Sequence, residues 1–139
     1  MVLAATEAEL RQCLAEAAFS RMYGFRLHSI ADGECTLDVP FQATFERPGG
    51  IMGGPVFMAA ADVAMWLSIM TRLGKADRSV TAEMKTSFLN AARQEDFRCT
   101  AKILKLGKRL VYGVAECVNG HGKPLTHHTL TYIRSDPSG

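Results

Sequence analysis

The sequence predicts an antiparallel α+β fold in which one sheet wraps a single long apolar helix. Three observations lead there. Between Pro55 and Met70 the only polar side chains are Asp62 and Ser68, so this stretch is a helix buried on most of its circumference. Strand-like runs come before and after it with no helices between them, which argues against a doubly wound sheet. The helix therefore has one partner to pack on, the sheet those strands make.

Each element has its own signal. Thr6-Glu7-Ala8-Glu9 is a capping-box pattern, and it predicts a helix over 7–19 with Leu10, Leu14, Ala17 and Ala18 on one face. Gly24 ends that region. Residues 25–30 and 35–40 alternate apolar and polar around Ala31-Asp32-Gly33-Glu34, a turn signal, and so form a hairpin. Residues 41–54 are a loop rich in Gly and Pro. The apolar helix follows to about Leu73, and Gly74 stops it. Four strands are then expected over 80–89, 97–106, 109–118 and 125–133, with turn residues between them. Residues 135–139 read as a frayed tail. No internal repeat is present, and the 139 residues read as one domain with its N-terminal helix inside 1–20.

Composition narrows the function. A net charge of +2 with scattered basic residues gives no reason to expect nucleic acid or an anionic membrane as partner. The apolar helix is short of the roughly 20 residues a membrane span needs, and it carries a carboxylate. The N-terminus lacks the basic and apolar regions of a secretory signal. Cys13, Cys35, Cys99 and Cys117 form no CxxC pair and no zinc spacing, so they are read as reduced, apolar-packed thiols in a cytoplasmic protein. His127 and His128 face opposite sides of one strand and cannot jointly hold a metal. His28 and His121 complete a set of four structural or surface histidines. No metal and no cofactor is expected.

Asp62 is the residue the composition does not explain. An aspartate is rarely buried without a partner, so it either pairs or does chemistry. It follows a glycine-rich loop, Gly49-Gly50-Ile51-Met52-Gly53-Gly54-Pro55. That loop delivers a helix N-terminus whose first N–H groups lack intrahelical acceptors. Gly54 lies there, with Pro55 expected at the first helical position. Helical spacing sets Asp62 on one face with Met58, Ala59, Met65, Trp66 and Ile69.

Four segments in order carry a resemblance. They are Gly49 to Pro55, Met58-Ala59-Ala60-Ala61-Asp62-Val63-Ala64-Met65, Val80-Thr81 through Phe88-Leu89, and Lys105-Leu106-Gly107-Lys108-Arg109-Leu110. Over about residues 20–134 the chain resembles the phenylacetate-degradation (PaaI-like) hotdog thioesterases. The resemblance implies a hotdog fold, hydrolysis of an acyl- or aryl-CoA thioester to free acid and CoA, no cofactor, and a homodimer or homotetramer.

In that family a His-Gly-Gly triplet opens the helix, and a carboxylate nine residues after the His is general base or nucleophile. Asp62 matches the carboxylate. Gly53 stands where the His would be, and Gly54 and Pro55 replace the two glycines. The resemblance makes the Gly54 N–H an oxyanion donor. Their spacing beside Asp62 makes Met58, Met65 and Trp66 the expected acyl pocket, and the resemblance makes Thr81 a hydroxyl that orients the attacking water. Strict alternation sets Thr81 in phase with Glu83, Lys85 and Ser87, away from Val80, Ala82, Met84 and Phe88. Its reach to Asp62 then requires a neighbouring subunit or a local bend. Arg47 is a candidate substrate contact, and Lys105, Lys108 and Arg109 are candidates for the CoA phosphates. Two other readings compete: a non-catalytic acyl-CoA binding module, and a thioester hydratase or dehydratase. The second is disfavoured because no His occurs between His28 and His121 to pair with the carboxylate.

Overall fold

The computed structural model describes residues 2–135; of the expected tail, 136–139 lie outside the described residues. Helix α1 spans Glu7–Glu16 and α2 spans Ala18–Tyr23. Strands β1 (Arg26–Ala31) and β2 (Glu34–Val39) form the expected hairpin. Two short strands, β3 (Glu46–Arg47) and β4 (Ile51–Met52), pair inside the loop before α3 (Gly54–Leu73). Strands β5 (Val80–Phe88), β6 (Phe97–Leu106), β7 (Leu110–Asn119) and β8 (Pro124–Ile133) complete the chain.

The capping box is present. Glu9 N–H donates to Thr6 Oγ1 at 3.1 Å and Thr6 N–H donates to Glu9 Oε1 at 3.0 Å. The helix expected over 7–19 is two helices, however. Ala17 is extended, at φ −74° and ψ 105°. The Ser20 hydroxyl lies 2.9 Å from both Leu14 O, at the end of α1, and Ala17 O, and its one proton is shared between them. A short polar side chain that bonds backbone in this way competes with the helix ladder. Leu10 and Leu14 are buried as expected, whereas Ala18 is exposed. Gly24 then ends α2 in the left-handed region, at φ 72°.

One antiparallel sheet has the order β1-β2-β6-β7-β8-β5. Its inner face presents Cys35, Leu37, Val39, Cys99, Ala101, Val111, Ala115 and Leu130, all essentially free of solvent, and α3 lies across them. The helix seats closely because the contact residues are small. Ala60, Ala61 and Ala64 are fully buried, and Ser68 Oγ donates to Ala64 O at 2.8 Å and to Ala101 O at 3.3 Å. Gly113 is the tightest point. A Cβ there would overlap the Met65 methyl and lie 2.5 Å from the Lys102 carbonyl oxygen. Only α3 is long and apolar enough to cross a membrane among the described residues, and two thirds of it is buried inside the fold, as a core helix is. Cys35, Cys99 and Cys117 are buried free thiols, and burial pushes Cys35 up to about 12.

Gly113→Ala should destabilise the fold by about 1–3 kcal/mol through overpacking, read as a lower urea midpoint at unchanged slope. In a Met65→Ala background the same substitution should cost less than it does in the wild type. Wild-type stability of Gly113→Ala would mean that helix and sheet do not touch there.

Candidate active site

The sheet covers α3 except for one stripe. Pro55, Met58, Ala59, Asp62 and Trp66 are the positions of its first four turns, after Gly54, that keep solvent access. Asp62 emerges on that stripe, partly buried, and lines a cavity of about 260 Å³ with Val63, Trp66, Ser79, Val80, Thr81, Tyr132 and Phe19 of α2. The walls are mainly apolar and the carboxylate is the one acidic group among them.

Two hydroxyls hold Asp62. Thr81 Oγ1 donates to Asp62 Oδ1 at 2.6 Å. Tyr132 Oη lies 2.6 Å from the same Oδ1 and 2.8 Å from the Asp62 carbonyl oxygen. Burial first, and then the Asp62 charge, pushes the Tyr132 hydroxyl well above its ordinary range, so it stays a proton donor.

Thr81 reaches Asp62 within one chain, which corrects the face expected from strict alternation. The β5–β8 register runs Thr81 opposite Tyr132 and then Glu83 opposite Thr131, so Ala82 is an extra residue, a β-bulge. Beyond it Met84, Thr86 and Phe88 pair with inward-facing Leu130, His128 and Thr126. The bulge changes the phase and turns Thr81 inward beside Tyr132. Of the two routes open to Thr81, a local bend is the one realised.

The acyl pocket needs correcting too. Met65 is 1% exposed and packs into the hollow at Gly113, on the sheet side of the helix. A step of three residues turns a helix by about 300°, enough to carry Met65 off the Asp62 stripe into the core; Ile69 is buried as well. Met58 shares the stripe but is 39% exposed and is not part of the cavity wall. Trp66 is the member of the expected set that lines it.

At the other end of α3, Gly53 is the N-cap, Gly54 the first helical residue and Pro55 the second, one position later than expected. Pro55 has no N–H, and the Gly54 N–H has no acceptor among the described residues. The Phe88 ring lies over Gly54, within 2.9 Å of where a Cβ would stand. A cavity of about 370 Å³ here is lined by Arg47, Met52, Gly54, Phe57, Phe88 and Thr126, among others, and one of about 380 Å³ on the far side by Arg47, Gly53, Pro55 and Tyr23. Arg47 therefore flanks both. Thr126 Oγ1 is 2.8 Å from Nε2 of His128, whose Nδ1 is 2.8 Å from Thr86 Oγ1, so this fully buried histidine is satisfied on both sides.

Lys105, Lys108 and Arg109 are exposed at the β6–β7 turn. Leu110 pairs with Ile133, which pairs with Val80, so the basic turn lies at the same end of the sheet as Thr81 and Tyr132. No group of three or more His, Cys, Asp or Glu side chains suited to a metal occurs among the described residues. Tyr132 and Phe19 were not legible as site residues, although a buried Tyr hydroxyl needs a partner, and that is a usable signal for Tyr132.

An antiparallel sheet curled round one long central helix is the hotdog fold. Residues 49–126 match the Thioesterase superfamily, more than half of the chain, and the chain belongs to that family. A Saccharolobus solfataricus protein named "Putative esterase" is 30% identical over 103 residues, 74% of this chain and 68% of that protein. A solved structure from Silicibacter sp. TM1040, described as a "putative thioesterase", is 29% identical with a TM-score of 0.85, covering 96% of this chain and 94% of that one. A "hypothetical thioesterase protein" of Streptococcus pneumoniae TIGR4, solved with coenzyme A, shares the fold at 13% identity, with 80% and 85% covered and a TM-score of 0.73. Together the family and the esterase relatives support thioester hydrolysis as the general chemistry.

The contact between Gly54 and Phe88 can be tested directly. Gly54→Ala should cost about 1–3 kcal/mol by displacing the ring, and Phe88→Ala should remove most of that penalty. Denaturant melts of the two single variants and the pair would show it as a coupling energy. Strict additivity would mean that Phe88 does not fill the space over Gly54.

Proposed function

We propose that this protein is an acyl-CoA thioesterase of the phenylacetate-degradation type, active as a homo-oligomer and releasing free acid and CoA. The observation that carries the reading is the Asp62 carboxylate, held at 2.6 Å by Thr81 in the wall of a cavity of about 260 Å³. Asp62 acts as general base. It takes a proton from water as the water oxygen bonds to the thioester carbonyl carbon. Collapse of the tetrahedral species breaks the C–S bond, and the departing thiolate takes the proton. Thr81 orients the carboxylate and, through it, the water. The Gly54 N–H, at a helix N-terminus, receives the oxyanion. Coenzyme A accompanies the same fold in the Streptococcus protein, and Lys105, Lys108 and Arg109 are the basic groups offered to its phosphates.

Asp62 and Gly54 of one chain lie about 12 Å apart along the helix, eight residues at 1.5 Å each. They cannot serve one carbonyl. A second copy brings them together. Strand β5 is a nine-residue sheet edge with Val80, Phe88 and neighbouring Leu89 exposed, the kind of edge a protein covers. A two-fold axis normal to the sheet keeps side chains of opposed residues on the same face, so it passes through a residue rather than between two. Centred on Met84, it sets Glu83 opposite the partner subunit's Lys85, and the reverse, and, with Ala82 outside the ladder, sets Thr81 opposite the partner subunit's Thr86. Two residues on, on the same face, is the partner subunit's Phe88, which covers the partner subunit's Gly54. Each site then takes its base from one chain and its oxyanion donor from the other.

Asp62→Asn should leave the fold intact and lower kcat on a panel of acyl-CoA and aryl-CoA substrates by on the order of a hundredfold or more. A folded variant with near-full turnover would remove Asp62 from the chemistry. If the wild type binds acyl-CoA but releases no thiol from any substrate, the non-catalytic binding module is the correct reading.

Mixing separates the chain contributions. Asp62→Asn chains refolded with Gly54→Val chains should regain about a quarter of wild-type activity, because half the dimers are mixed and each mixed dimer has one intact site. Asp62→Asn with Thr81→Ala should regain nothing, since those residues act in one chain. No recovery in the first mixture, or an active monomer by light scattering, would defeat the two-chain site.

A further inference from the structure

Asp62 has two carboxylate oxygens, and the fold treats them differently. Oδ1 accepts from Thr81 Oγ1 at 2.6 Å and lies 2.6 Å from Tyr132 Oη, while no donor reaches Oδ2 among the described residues. The two hydroxyls come from neighbouring strands, β5 and β8, where Thr81 and Tyr132 are directly paired. Asp62 comes from α3. Three elements converge on one oxygen.

Tyr132 is only 3% exposed, and a hydroxyl so buried needs an acceptor within the protein. Both acceptors within reach belong to Asp62, its Oδ1 and its carbonyl oxygen at 2.8 Å. A buried phenol with acceptors on one residue only is committed to that residue. The carboxylate plane of an aspartate otherwise turns broadly about its last torsion. Two donors on one oxygen arrest that rotation.

We propose that Tyr132 is a positioning residue of the hydrolytic site: by occupying Oδ1 together with Thr81, it leaves Oδ2 as the oxygen that takes the proton from water. This rests on the thioesterase reading and goes one step further, since it assigns separate tasks to the two oxygens and adds a residue from the last strand. Its hydroxyl is bonded to Asp62, and it acts through that carboxylate. Thr81 alone would hold Oδ1 from one side and leave the plane free to rock about that bond.

The test uses the full-length protein and Tyr132→Phe, which deletes one oxygen and keeps the ring that fills the core. With an acyl-CoA substrate the wild type hydrolyses, Tyr132→Phe should lose about tenfold in kcat, the worth of one hydrogen bond to a charged group, with KM within about twofold and an intact cooperative melt. In the Asp62→Asn background the same change should have no further effect on residual turnover, because the group it positions has gone. Wild-type kcat in Tyr132→Phe overturns the proposal, and so does an equal loss in both backgrounds, which would mark a structural role. Absence of turnover in the wild type would instead defeat the thioesterase reading. The positioning claim is then decided by the crystal structure of Tyr132→Phe: a carboxylate plane rotated from its wild-type orientation supports it, and an unmoved Asp62 overturns it.

Discussion

The seating of α3 in the sheet is the constraint on which the rest depends. A helix with almost no polar side chain must be covered nearly all round, and here the sheet does most of the covering. Alanines, Ser68 and the hollow at Gly113 let helix and sheet approach closely enough that Met65 docks like a peg. Full burial of a large apolar side chain stabilises by about 1.5–3 kcal/mol, and Leu67, Ile69, Met70 and Met65 all contribute. With so many contacts the helix cannot rotate. That fixes which residues are left on the uncovered stripe, and so where the single carboxylate emerges.

Much of this was legible in the sequence because it follows from periodicity and from isolated anomalies. Alternation marked the strands, glycines marked the stops, and a lone acid in an apolar helix marked Asp62. What was not legible depends on departures from periodicity. The bulge at Ala82 leaves no trace in an alternation pattern that continues smoothly on either side, so Thr81 was assigned to the wrong face. Thr131-Tyr132-Ile133 reads as ordinary strand, and nothing local announces that Tyr132 reaches a helix 70 residues earlier. Met65 was misplaced for a different reason. Residues three apart share a helix face only loosely, and the boundary between core and stripe falls between Met65 and Trp66.

Two adjacent glycines at the start of α3 are there under different pressures. Gly54 sits beneath the Phe88 ring, and a side chain would have to displace it. Gly53 has ordinary extended backbone, at φ −72° and ψ 153°, and a Cβ would meet only the Phe45 carbonyl at 3.5 Å and the Pro55 ring at 3.6 Å. A residue with a Cβ and an N–H, such as the histidine of the phenylacetate type, meets no backbone obstacle at that position. The backbone that delivers the Gly54 N–H is therefore independent of what stands at 53.

The single extra residue at Ala82 links two properties that are usually free to drift apart. Pairing Ala82 instead of Thr81 with Tyr132 would restore regular alternation, and with it return Thr81 to the outer face while leaving Met84, Thr86 and Phe88 in register. The strand would remain a good strand, and the loss would fall on the carboxylate's partner alone. Such an irregularity has no packing substitute: what it sets is the phase of Thr81, not the fit of a side chain. Deleting Ala82 would leave Thr81 opposite Tyr132 by ordinary alternation, so the site depends on which residue meets Tyr132 and not on the length of β5.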